Sequence, residues 1–319
     1  MHPSVLLLIL VAAAGHAGVH GLHAAAGTPA ARFWDQALPG SPMPDSIAEL
    51  VQKGARRRPL SAGQRLRLRL QVRDHLRRAE RSRDGGGGGD DGALLPRVGG
   101  ARRRRHDRLL PPAAATPGIL ARNVAEKTPF ADAAAVLAAF AVPPRSEEAA
   151  RVRDTIRGCR AQPLAGESKA CATSLEATVR AASRMLQGAS GGGRGIWAAA
   201  SAVPYEGLPR RAYVVAAVEE LAGDRHVACH DEPFPYAVFQ CHMTGRSATR
   251  TYTITLQSGL HGDGATATTV AMAALCHRDT SSWNPAHPAF DMLGTKPGGA
   301  PVCHFMPYAH LVFGQKVAH

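Results

Sequence analysis

Four Cys-His dipeptides stand in the C-terminal half of this 319-residue chain: Cys229-His230, Cys241-His242, Cys276-His277 and Cys303-His304, separated by 10, 33 and 25 residues. Neighbouring side chains on extended backbone point to opposite faces, so on strands the four thiols share one side and the four imidazoles the other. Thiols gathered on one face can pair as disulfides in an oxidising compartment. Imidazoles gathered on the other make a nitrogen-rich site suited to copper or zinc. A mixed Cys2His2 zinc site is the rival arrangement, but its ligands normally cluster Cys with Cys and His with His at short spacing, which adjacent Cys-His dipeptides do not do. A single histidine is more often a hydrogen-bonded structural residue than a ligand. The fourfold repetition makes His230, His242, His277 and His304 the candidate metal ligands. Cys159 and Cys171 complete a set of six cysteines. An even number favours disulfides, and six cysteines allow 15 pairings between which the sequence does not choose.

The elements that must position these residues are legible in outline. Residues 131–141 and 147–157 have helical composition, the second with Ser146 placed to cap and Glu147 and Glu148 in the first turn, where the helix dipole favours negative charge. Thr173-Ser174-Leu175-Glu176 reads as a capping box opening a further helix that Gly188 closes. Cys159 and Cys171 then fall in the connection between two helices, where a bridge would contribute about 3 kcal/mol by loop closure. Gly191 to Gly195 reads as a linker. Beyond Trp197, residues 212–218, 225–230, 236–243, 249–256, 265–277 and 302–313 are rich in β-branched and aromatic side chains and punctuated by Pro and Gly. The expected fold class is α+β, with helices followed by a mainly antiparallel C-terminal domain.

The N-terminal part has a different texture. Residues 1–26 carry a short apolar run followed by small residues, the pattern of an export signal, and no later stretch is long and apolar enough to span a bilayer. Residues 27–50 hold Phe33-Trp34 and Pro39, Pro42 and Pro44, too many prolines for a helix, which predicts an extended, docked segment. The net charge of +13 is local: between residues 51 and 110 there are 18 Lys or Arg against 6 Asp or Glu. With its five-glycine run, the Arg-rich arm over 51–115 is expected to be disordered, and Arg65-Leu66-Arg67-Leu68-Arg69-Leu70 inside it alternates like an edge strand. The remaining residues, 116–319, form the expected folded domain.

The Cys-His spacing resembles the signature of the plant BURP domain. Similar words surround it: Pro235-Tyr236-Ala237-Val238, the run from Cys276 to Pro285, Lys296-Pro297-Gly298 and Pro301-Val302-Cys303-His304-Phe305. Upstream, Cys171-Ala172-Thr173-Ser174-Leu175-Glu176 and the post-signal Phe33-Trp34 and Leu38-Pro39 also match. There are two departures. The 33-residue gap is longer than the family's usual mid-twenties, with the surplus assigned to a loop at 259–269, and Phe313 stands where the family pattern has Trp.

Two functions follow from that resemblance. The first is a secreted, non-enzymatic protein of the apoplast or cell wall, involved in development or stress; its basic arm reads first as a solvated linker and second, from its clustered Arg, as a site for acidic wall polysaccharide, with nucleic acid a weaker partner for an exported chain. The second is a copper-dependent enzyme that crosslinks Tyr or Trp of a peptide, the family's Cys-His histidines being implicated as copper ligands; here these are His230, His242, His277 and His304. Because residues 51–115 contain neither Tyr nor Trp, such a peptide would have to come in trans. No nucleophile elbow, HExxH motif or Ser-His-Asp order accompanies these residues, and His261 and Asp263 sit in a Gly-rich loop expected to face solvent.

Overall fold

Among the described residues, the β-branched and aromatic segments of the C-terminal half, joined by Leu94–Leu95, pair into two antiparallel five-stranded sheets. The structure is a computed structural model. It describes residues 27–56, 94–95, 116–187, 195–204, 207–208, 212–245, 248–258 and 268–316. The expected export signal, the Arg-rich arm beyond residue 56 apart from a two-residue strand, most of the expected glycine linker, and residues 259–267 with His261 and Asp263, where a loop was expected, lie outside the described residues.

In chain order the elements are α1 (Pro29–Ala37), α2 (Asp45–Arg56), β1 (Leu94–Leu95), α3 (Arg122–Ala125), α4 (Ala133–Phe140), α5 (Glu147–Arg160), β2 (Ser168–Ala172), α6 (Leu175–Gln187), β3 (Ile196–Ala199), β4 (Val214–Glu220), β5 (His226–Glu232), β6 (Val238–Met243), β7 (Thr249–Ser258), β8 (Thr268–His277), α7 (Pro288–Leu293), β9 (Val302–Phe305) and β10 (Leu311–Gln315). One sheet runs β1-β9-β8-β7-β4, the other β2-β6-β5-β10-β3. The α+β expectation holds, with helices first and antiparallel β after. Ser146 caps α5 by accepting from the Ala149 N–H, as its position implied. The cap of α6 is Ser174, one residue beyond Thr173, and it accepts from the Ala177 N–H.

Three local expectations are corrected. Residues 29–37 and 45–56 are helical, because the prolines fall where they do no harm: Pro29 opens α1 under a Thr28 cap, and Pro39, Pro42 and Pro44 lie between the helices. Helix α2 therefore reaches into the first residues assigned to the arm. Cys159 and Cys171 do not share an inter-helix loop, since Cys159 is in α5 and Cys171 in β2. The segment 302–313 is two strands in different sheets, β9 and β10, joined by a corner in which Ala309 takes a left-handed φ of 65°.

Three layers of side chains result. Between the sheets, Ala228 and Val312 of one meet Ala273 and Leu275 of the other, with Met306 from the corner. The outer face of the β5-β6-β10 sheet, including Val227, Phe239, Leu311 and Phe313, is covered by α6, by Trp34 of α1 and Leu38 just after it, and by Ile47 and Leu50 of α2. Trp34 is fully buried, donates its indole N–H to the Ser41 carbonyl at 2.8 Å, and lies 6.4 Å from the Phe313 ring. The segment around Trp34 is thus part of the core of the folded domain. The outer face of the other sheet buries Ile254, Leu256, Met272 and Phe305 under Val203 and Leu208.

Candidate metal centre

Strand alternation sorts the Cys-His pairs as the sequence implied. Cys229 and Cys241 stand directly opposite each other on β5 and β6, and Cys276 and Cys303 likewise on β8 and β9. Each pair is a disulfide, and Cys159–Cys171 is the third. The first two bridges belong to the outer hydrophobic layers of their sheets. The next residue on each strand points the other way, so His230 and His242 from one sheet face His277 and His304 from the other.

The imidazoles meet there. Ring centroids are 5.3 Å apart for His230 and His242, 5.8 Å for His230 and His304, 5.9 Å for His242 and His277, and 5.6 Å for His277 and His304. A fifth ring, His310, joins from the corner before β10, 5.2 Å from His230. Both nitrogens of His230 face another imidazole: Nε2 is 3.2 Å from His242 Nε2, and Nδ1 is 3.1 Å from His310 Nδ1. His310 carries no Cys-His signal, and sequence reading missed it; only the sheet-to-sheet corner brings it in.

Burial lowers the proton affinity of an imidazole. It holds His230 and His277 well below the ordinary imidazole value, lowers His304, and pushes His310 down to about 3, with neighbouring imidazoles adding repulsion against a positive charge. Neutral nitrogens are what a metal requires of its ligands. His277 Nδ1 is buried without a hydrogen-bond partner. Among the described residues, no group of three His, Cys, Asp or Glu side chains is placed to hold a metal ion as it stands, so ligation requires these rings to rotate.

Two carboxylates and one indole border the cluster. Glu167 Oε1 lies 3.0 Å from His242 Nδ1, without the alignment of a hydrogen bond. This contact, opposed by burial, lowers the Glu167 carboxyl below its usual range. Burial raises that of Glu232, whose Oε1 accepts from Gln240 Nε2 at 3.4 Å. Trp283 packs against His277 at 4.9 Å and against the exposed His287 at 4.8 Å, which places it between the cluster and the surface. Glu167 was also missed at the sequence level, because nothing in a lone glutamate shows which strand it will lie beside.

Comparison with known proteins finds plant relatives. BURP domain-containing protein 13 of Oryza sativa subsp. japonica is 50% identical over 202 residues, covering 63% of this chain and 47% of that protein. Protein RAFTIN 1B of Triticum aestivum is 44% identical, covering 64% of this chain and 54% of its own length. BURP domain protein RD22 of Arabidopsis thaliana is 39% identical, covering 61% and 47%. The chain spans about half the length of the curated relatives it matches. The BURP domain itself matches residues 106–315, which hold all three disulfides and all five clustered histidines, and the chain belongs to the BURP domain family.

Proposed function

We propose that this is an exported plant protein of the apoplast or cell wall whose inter-sheet imidazole cluster holds copper. The observation that carries the reading is the convergence of His230, His242, His277, His304 and His310 on one space between two sheets, each sheet stapled on its far side by a disulfide. A nitrogen-only donor set suits copper better than a hard, oxygen-seeking cation. The site has no thiolate to offer, because all six cysteines are oxidised. Copper bound here would supply one-electron chemistry, while the chain would supply the nitrogens, their orientation and a partly dehydrated setting.

Export is supported by the complete pairing of the cysteines, which reducing compartments do not sustain. In the leading, non-enzymatic reading, the Arg-rich segment holds the protein to acidic wall polysaccharide, and copper binding is a structural or storage property. The second reading is oxidative crosslinking of a Tyr or Trp side chain in a peptide supplied in trans. It is favoured by the position of Trp283, half-buried between His277 and the surface, where an aromatic side chain could stack. Such a reaction breaks two bonds to hydrogen and forms one crosslink, passing two electrons and two protons to dioxygen.

The test is metal analysis of the purified mature chain after stripping and reloading with Cu(II). It is followed by incubation with Tyr- and Trp-containing peptides in air and mass spectrometry for the loss of two hydrogens. Stoichiometric copper without turnover, together with salt-sensitive retention on a pectin column, supports the leading reading. Turnover moves the assignment to the enzyme, and failure to take up copper refutes both metal readings.

A further inference from the structure

Glu167 stands where strand register puts it. Lys169 of β2 is directly opposite His242 of β6, and two residues earlier on the same face is Glu167, diagonal to His242. The carboxylate is held from both ends. Its Oε2 accepts from the Leu164 N–H at 2.9 Å, and its own N–H donates to the Leu164 carbonyl at 2.9 Å. The turn it occupies is closed by Cys159–Cys171, with Lys169 Nζ donating to the Gly158 carbonyl at 3.0 Å. The side chain is only 12% exposed. The other nearby carboxylate, Glu232, is engaged with Gln240.

From that anchor the ring contacts form a line. Glu167 Oε1 faces His242 Nδ1, His242 Nε2 faces His230 Nε2, and His230 Nδ1 faces His310 Nδ1. Each nitrogen pair can share only one proton if the rings are neutral, so the line has two consistent directions. A carboxylate accepts and does not donate, and it therefore selects one of them. We propose that Glu167 is a positioning residue that fixes the tautomers of three histidines in series: His242 protonated on Nδ1, His230 on Nε2 and His310 on Nδ1. The unprotonated Nε2 of His242 then accepts from His230, so a metal taking that nitrogen displaces the His230 N–H, and the unprotonated Nε2 of His310 faces its own surroundings. No charge moves and no bond other than hydrogen bonds is exchanged. A modest rotation of the His242 ring brings its N–H onto Glu167.

The consequence for copper rests on the proposed function. A carboxylate behind a ligating imidazole raises its basicity and fixes the nitrogen it offers, and loss of such a partner typically weakens binding about 10- to 100-fold.

The test uses the full mature chain, metal-free and labelled with nitrogen-15 in its imidazoles, read by long-range proton–nitrogen correlation. The wild-type spectrum should show the stated proton on each of the three rings, E167Q should keep the pattern because its amide oxygen still accepts, and E167A should lose it at His242 and at His230. A wild-type His242 protonated on Nε2, or a pattern unchanged in E167A, overturns the proposal. The wild-type spectrum decides even if E167A does not fold. Competition titration with Cu(II) should then show E167A about 10- to 100-fold weaker than wild type. If wild type binds no copper, the metal reading fails alone, since the metal-free spectra judge Glu167 independently.

Discussion

The Nε2 atoms of His230 and His242 stand 3.2 Å apart across neighbouring strands, and His230 turns its other nitrogen to His310 at 3.1 Å. His230 is the one ring in contact with His242, His304 and His310 together. Its replacement should therefore do more harm than loss of a supporting partner. H230N is expected to weaken Cu(II) binding by more than about 100-fold, measured by competition with a chelator of known affinity, the reference being the second-shell effect. Unchanged affinity would remove His230 from the site.

Acid should destabilise the metal-free protein in the range where ordinary imidazoles titrate. In the unfolded chain His230, His277, His304 and His310 take up protons near pH 6.5, whereas burial keeps them neutral in the fold to lower pH. Below that value the unfolded state binds more protons, so stability present at neutral pH is lost as pH falls. Glu167 acts in the same sense, but below its own unfolded value of 4.5. Glu232, raised by burial, acts in the opposite sense near that pH. Between about pH 7.5 and about pH 5.5 the loss is carried by the histidines, with His226 and His287, also lowered by burial, adding to it and Glu232 opposing it above 4.5. The melting temperature by circular dichroism should fall across that range, and a flat profile would show that the rings are not desolvated.

Trp34 ties the N-terminal helical segment into the main core, buried against Phe313 with its indole N–H satisfied by Ser41. W34A is expected to cost about 3 to 5 kcal/mol, the usual range for emptying so large a site. Denaturant unfolding of the full chain would measure it. A loss below about 1 kcal/mol would mean that this segment is not part of the cooperative unit.

The three disulfides should open in a definite order. Cys229 and Cys241 are fully buried and Cys276 and Cys303 nearly so, while Cys159 and Cys171 are half-buried at the domain edge. Graded reductant followed by alkylation and peptide mapping should label Cys159 and Cys171 first. Because that bridge closes the turn carrying Glu167, its reduction should disturb the His242 signals before the protein unfolds.

The resemblance to known proteins, the α+β class and the split of sulfur from imidazole all lay in the chain itself. Alternation along a strand is local, so a Cys-His dipeptide already commits its two side chains to opposite faces. Helix starts were legible for the same reason, Ser146 capping the helix where its position implied and the Thr173-Ser174 signal missing by one residue. The proline-rich stretch around Trp34 misled, because what matters is whether each proline falls inside a helix, and that depends on boundaries set by packing on Phe313. Residues 302–313 resemble one strand because they are largely apolar and aromatic, although Pro307 stands where the corner begins and its carbonyl accepts from the His310 N–H. The corner at Ala309 answers to a need to cross between sheets, which no window of sequence contains.

What the sequence determined was a set of donors and the side of the strand each would take. What the tertiary structure decided was which donors meet. His310 has no signature of its own, and Glu167 lies 75 residues before His242. Both enter the cluster because of strand register and a crossover, long-range pairings that depend on how two sheets bury their shared faces. Local propensity acts over a few residues, whereas the cluster is assembled by burial across the whole domain.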